Sequence, residues 1–184
     1  MPVQRLNHAV LYVRDVARSV AFYAEALGFR VVTDIPGRAA FLQAEGSTND
    51  HDLGLFAIGE QAGDSQAGRA TVGLYHLAWE VDTLAELRRI SAVLSERGAL
   101  VGASDHGSTK ALYAHDPDGI EFEVSWIVPA DRLGEDTAMR TAPLDLDAEI
   151  ARYGAALQVG AVAGDLGVDL QGGTGVSVPA VSSR

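Results

Sequence analysis

HAVLYVRD at residues 8–15 returns as HLAWEVDT at residues 76–83, and this repeat sets the reading of everything around it. Each copy opens on a histidine, continues as a short apolar run with β-branched or aromatic residues, and places a valine five residues after the histidine. Apolar runs of this length read as buried strands. A helix signal follows each one. Asp15 is placed to cap a helix, Val16, Val20, Tyr23, Ala24 and Leu27 share one stripe, and Gly28 supplies the stop. In the second copy Asp82 is expected to cap a helix from about Thr83 to Arg97, which Gly98 ends.

Three strand candidates trail each helix, at 29–33, 39–44 and 53–58, then at 100–103, 110–114 and 120–128, with Gly, Pro, Ser and Asn in the gaps. Residues 59–72, GEQAGDSQAGRATV, read as a polar linker between two modules. The expected fold is therefore α+β, a strand, helix and three-strand unit built twice. Its final strand has an unusual face. After the turn Asp116-Pro-Asp-Gly119, Glu121, Glu123 and Ser125 point one way while Phe122, Val124 and Trp126 point the other. A lone histidine in an apolar strand is ordinarily a core residue satisfied by one hydrogen bond. A histidine repeated at the same module position, facing a carboxylate strand, points instead to a bound cation.

Composition narrows the classes. Formal charge is −11, from 25 acidic against 14 basic residues, which leaves too few cations for a nucleic-acid footprint. Without cysteine, any metal has to sit on His, Asp, Glu or Tyr. No stretch reaches membrane-spanning length and no signal segment opens the chain, so a soluble cytoplasmic protein is expected.

LNHAVLYVRDVARSVAFYAEALGF, YHLAWEV and DPDGIEFEV resemble the vicinal oxygen chelate superfamily, which includes glyoxalases, extradiol ring-cleaving dioxygenases, fosfomycin-modifying enzymes and bleomycin-binding proteins. The resemblance spans residues 5–128 and implies paired βαβββ modules (5–58 and 73–128) forming a half-open β-barrel cup around a divalent metal. By position it implies His8, His76 and Glu123 as ligands, with Glu121 the alternative carboxylate. Two histidines and one carboxylate with open coordination sites suit non-haem Fe(II), with Mn, Ni, Zn or Co as alternatives. The first module's closing strand, HDLGLFAIG, offers no Glu or Gln at the matching position, which counts against a glyoxalase.

Extradiol dioxygenases are similar in three further places, which implies His51, His106 and Tyr113 as catalytic residues, although His106 and Tyr113 stand two residues closer than the family pattern. On this resemblance His51 is the acid/base group, while His106 and Tyr113 hold the substrate. The implied reaction is cleavage of a small aromatic diol by dioxygen beside its two hydroxyls. A metal-dependent isomerase, glyoxalase or thiol transferase, and a metal-free drug-binding protein, are the alternatives. His115 reads as a turn-flanking residue, and Phe22, Phe41, Phe56, Trp79 and Leu112 fit either core or pocket.

Residues 129–184 lie past the resemblance. Residues 129–143 read as an extended surface segment, 144–157 as a short helix with Asp145, Asp147 and Glu149 near its start, and the remainder as a flexible end or an arm packed on the partner of a homodimer.

Overall fold

The computed structural model describes residues 2–67 and 70–159. Module 1 runs β1 (Ala9–Val13), α1 (Val16–Leu27), β2 (Arg30–Ile35), β3 (Ala39–Gln43) and β4 (Leu53–Ala57). Module 2 repeats it with β5 (Leu77–Glu80), α2 (Leu84–Glu96), β6 (Leu100–Asp105), β7 (Thr109–His115) and β8 (Glu121–Ile127). The sheets are ordered β1-β4-β3-β2 and β5-β8-β7-β6, and in each the first and last strands pair in parallel while the other pairs are antiparallel. A parallel pair needs a long crossover, and the helix with its two following strands supplies it.

Each sheet buries one face beneath its helix. Asp15 caps α1 by accepting the Arg18 N–H at 3.0 Å, and Gly28 closes it in the left-handed region. The helix buries Val16, Phe22, Tyr23 and Ala26 against Leu11, Val13, Leu42, Leu53 and Leu55. Helix α2 is capped one residue later than expected. Thr83, not Asp82, is the extended cap residue, and its hydroxyl accepts the Glu86 N–H at 3.2 Å. The Asp82 carbonyl is engaged elsewhere, accepting the Val159 N–H.

The two cores are continuous. Phe22 meets Phe122 with centroids 5.9 Å apart, and Phe29 meets Trp79 at 5.1 Å. Tyr23 donates its hydroxyl to Asp116 at 3.2 Å, and Arg14 binds Asp118 through both its backbone N–H and its guanidinium. Asp116 also accepts the Asp118 and Ile120 N–H groups, and Gly119 turns the chain at φ 81°. The turn before the carboxylate strand is thereby pinned to module 1. Each large apolar side chain removed from water in this core contributes about 1.5–3 kcal/mol.

Past module 2, the segment described as far as residue 159 is partly structured. Two single 3-10 turns (Ala130–Arg132 and Glu135–Thr137) lead into β9 (Ala142–Pro143), which extends the second sheet beside β6. Helix α3 (Leu146–Tyr153), capped by Asp145, packs on α2 and sets Tyr153 5.4 Å from Trp126. The expected flexible or partner-packed arm at 160–184 lies outside the described residues. Among the described residues no helix is long and apolar enough to cross a membrane.

Candidate metal centre

The face of the second sheet turned away from α2 carries Glu121, Glu123 and Tyr113. Period-two alternation along β8 places Phe122, Val124 and Trp126 under the helix and leaves Glu121 and Glu123 on the other face. Register does the rest. Ala78, two residues past His76, and Tyr113 both lie opposite Glu123, so histidine, carboxylate and phenol share one patch. His76 Nε2 lies 3.2 Å from Glu123 Oε2, and on the other side of the ring Nδ1 is 3.8 Å from Glu121 Oε1. Nδ1 is buried and has no hydrogen-bond partner. The side chains of His76, Glu121 and Glu123 remain partly accessible.

Tyr113 lies beside this pair. Its ring centroid is 5.8 Å from that of His76, and its hydroxyl is 2.9 Å from His106 Nε2. Burial pushes the phenol pKa up to about 12, with the charge of Glu123 and a hydrogen bond to it adding to the effect, so the hydroxyl keeps its proton through the neutral range. His115 stands at the rim with Nε2 3.8 Å from Glu121. A cleft of about 560 Å³ bounded by Leu11, Asp64, Tyr75, His115 and Glu121 adjoins the pair without reaching Glu123 or Tyr113.

The remaining expected residues lie on the open face of module 1. His8 stacks against His51 at 4.4 Å, and its Nδ1 is 2.7 Å from Asn7 Oδ1. His51 in turn rests on Phe41 at 5.0 Å and pairs with Asp50 at 3.2 Å. No ion pair or ring contact joins His8 to His76 or Glu123 among the described residues, and no group of three His, Asp or Glu side chains gathers there as a complete metal cage. Two of the three expected ligands therefore meet within the chain, and His8 keeps company with His51 instead.

Three residues of consequence escaped the sequence reading. Lys110 is fully buried, with Nζ 2.6 Å from Asp105 and 3.1 Å from Glu149, the latter an ion pair without hydrogen-bond alignment. Arg140 also binds Asp105. Burial alone raises the Asp105 pKa, but Lys110, the Gly107 N–H and Arg140 outweigh it and hold the carboxyl down at about 2. No sequence signal marks Lys110, because a lysine in a strand beside a turn reads as solvent-facing.

The chain matches the Glyoxalase/Bleomycin resistance protein/Dioxygenase superfamily over residues 5–124. It belongs to that superfamily. Among superfamily relatives, a catechol-2,3-dioxygenase of Bacillus subtilis is 33% identical over 121 residues, covering 65% of this chain and 40% of the relative. A biphenyl-2,3-diol 1,2-dioxygenase 3 of Rhodococcus globerulus is 32% identical over 121 residues, covering 65% of this chain and 62% of the relative. The chain thus spans less than two thirds of either. A glyoxylase/bleomycin resistance protein/dioxygenase domain from Frankia sp. shares the fold at TM-score 0.59 and 21% identity, covering 70% of this chain and 96% of that one. Superfamily membership together with the dioxygenase relatives implies a divalent metal. The donor set of module 2 fits one in part: the His76 imidazole and the Glu123 carboxylate converge, but among the described residues no third ligand completes a metal site with them.

Proposed function

We propose that the protein is an Fe(II)-dependent extradiol dioxygenase that cleaves a catechol-type diol. The observation that carries this reading is the row His76, Glu123, Tyr113 and His106 on one sheet face, a ligand-type pair followed directly by a phenol and a second imidazole. The names of the two dioxygenase relatives support the reaction class.

His76 and Glu123 would hold the metal, with Glu121, 3.8 Å from the Nδ1 side of His76, the alternative carboxylate. When bound, the ion supplies positive charge that acidifies both vicinal hydroxyls and a coordination position open to dioxygen. Tyr113, protonated at working pH, donates to a substrate oxygen and aligns the ring. His106 holds Tyr113 in place. The ring C–C bond beside the two oxygens breaks and both atoms of dioxygen enter the product, so no outside reductant is consumed.

His8 and His51 complete the reading from a second copy of the chain. Their rings are in contact, so any subunit that presents His8 to the His76–Glu123 pair brings His51, a group able to exchange protons near neutral pH, along with it. The opposing faces complement each other. One carries Val10, Tyr12, Phe41 and Phe56, the other Glu121, Glu123 and Tyr113, which suits a flat ring with two hydroxyls on one edge.

Anaerobic iron loading, then a panel of catechol, 3-methylcatechol and 2,3-dihydroxybiphenyl under air, tests the chemistry by oxygen uptake and the yellow ring-opened product. No oxygen uptake with iron bound sinks the dioxygenase assignment. Tight binding of Ni, Zn, Mn or Co without oxygen consumption identifies an isomerase or transferase of the superfamily. Mixing inactive His8→Ala and His76→Ala chains tests the shared site: statistical exchange into dimers restores about a quarter of wild-type activity if ligands come from both subunits, and none if they come from one.

A further inference from the structure

The segment following module 2 reaches into the centre at one point, and its contacts there are built rather than incidental. Strand β9 pairs with β6 at Asp105↔Ala142 and Ser104↔Pro143. Arg140 donates its backbone N–H to the His106 carbonyl, and its guanidinium binds Asp105, which Lys110 holds from the buried side. Gly107, at φ 84°, leaves no room for a side chain: a Cβ there would stand 2.1 Å from the Ala138 carbonyl oxygen and 2.6 Å from that of Thr137. Backbone pairing, an ion-pair network and close packing therefore all fix the residue 137–143 segment against the β6–β7 turn that carries His106.

The consequence falls on a proton. The Arg140 carbonyl lies 3.2 Å from His106 Nδ1, and a carbonyl can only accept, so Nδ1 carries hydrogen. Thr141 Oγ1, 3.4 Å from the same nitrogen, belongs to the same segment. In the neutral ring Nε2 is then bare, and it accepts the Tyr113 hydroxyl at 2.9 Å. Tyr113 has a single hydrogen and two acceptors beside it, His106 Nε2 at 2.9 Å and, directly across the β7–β8 pair, the Glu123 carboxylate. With the opposite tautomer His106 would donate to the phenol oxygen, and the phenol hydrogen would turn to Glu123, occupying a lone pair needed for metal.

We propose that the segment carrying Arg140 sets the tautomer of His106 and so keeps the Tyr113 hydrogen off Glu123, leaving that carboxylate free to bind a divalent ion. Arg140 is a positioning residue in this scheme. The proposal rests on Glu123 being a metal ligand, and the superfamily match, which ends at residue 124, does not include the segment that does the positioning.

Nitrogen-15 NMR of the full-length, metal-free protein reads the tautomer directly. Wild type should show His106 protonated at Nδ1. Arg140→Ala should shift His106 toward the Nε2-protonated form and weaken Mn(II) binding several-fold, and Arg140→Lys, which can keep the contact with Asp105, should recover most of both. In a Tyr113→Phe background, with no phenol hydrogen to misdirect, Arg140→Ala should leave Mn(II) affinity unchanged. An Nε2-protonated His106 in wild type, an unaltered tautomer in Arg140→Ala, or an equal loss of affinity with and without the Tyr113 hydroxyl each overturns the proposal. None of these readings needs turnover, so failure to cleave catechols leaves them interpretable. Absence of Mn(II) binding by wild type overturns the metal-site reading and the Glu123 part of the proposal together, while the tautomer result still judges the role of Arg140.

Discussion

Val10 pairs with Gly54, and Gly54 with Phe41; in the second module Ala78 pairs with Glu123, and Glu123 with Tyr113. Gly54 and Phe41 therefore occupy in one sheet the places that Glu123 and Tyr113 occupy in the other. With no side chain at Gly54, the Phe41 ring fills the space beside it: a Cβ on Gly54 would meet Val10 at 3.4 Å and Phe41 at 3.6 Å. Phe41, which has no hydroxyl, gives His51 a ring to rest on. One backbone plan, built twice, has been divided between an apolar wall that presents imidazoles and a polar wall that presents carboxylates. The difference lies wholly in which side chains face away from the helices.

That division predicts unequal sensitivity to substitution. Glu123→Ala should abolish specific binding of a divalent ion, a larger loss than the 10–100-fold that follows removal of an outer partner, as measured by calorimetric titration. Retained affinity would shift the ligand role to Glu121. Next in size is Lys110→Ala, which strands Asp105 and Glu149 in a buried network and should cost about 3–5 kcal/mol in urea unfolding.

Asp105 gives a smaller, pH-dependent effect. Its carboxyl titrates at about 2 in the folded chain, below the roughly 3.9 of an unfolded one. The difference stabilises the fold by about 2–3 kcal/mol above pH ~4, a contribution lost as pH falls through the folded pKa near 2. Urea titrations between pH 5 and 2 should show this loss in wild type, and Asp105→Asn should lack that component. At the bottom of the scale, Gly54→Ala should change stability by no more than about 0.5 kcal/mol, because a methyl at ordinary contact distance is tolerated and the glycine is not in the left-handed region. A markedly larger cost in the dimer than in the dilute monomer would show that the apolar wall is covered by a second copy.

Much of this organisation was legible in the chain. Strand-helix-strand order, the Asp15 cap, the turn before β8 and the facing of Glu121 and Glu123 all follow from local periodicity and turn chemistry, which act over a few residues. Assigning the aromatics was beyond local rules. Phe22 and Leu112 are core, whereas Phe41 and Phe56 lie half-buried on the open face, and only the pairing register separates them. The placement of His8 was equally out of reach, since a repeated histidine specifies an equivalent position in each module and says nothing about how the modules face. Lys110, Asp105 and Arg140 were missed because the network closes only when Arg140 and Glu149, far along the chain, join the Lys110–Asp105 pair. Thr83 displaced Asp82 as a helix cap by one position, a choice settled by where the backbone leaves the extended region.

The buried ammonium of Lys110 has a practical corollary for anyone trimming this protein. A fragment ending at the superfamily boundary would lack the Arg140 and Glu149 partners of the Asp105–Lys110 pair, and would strip Tyr153 from Trp126. The contacts that hold the second sheet together therefore run past the end of the superfamily match, as far as α3.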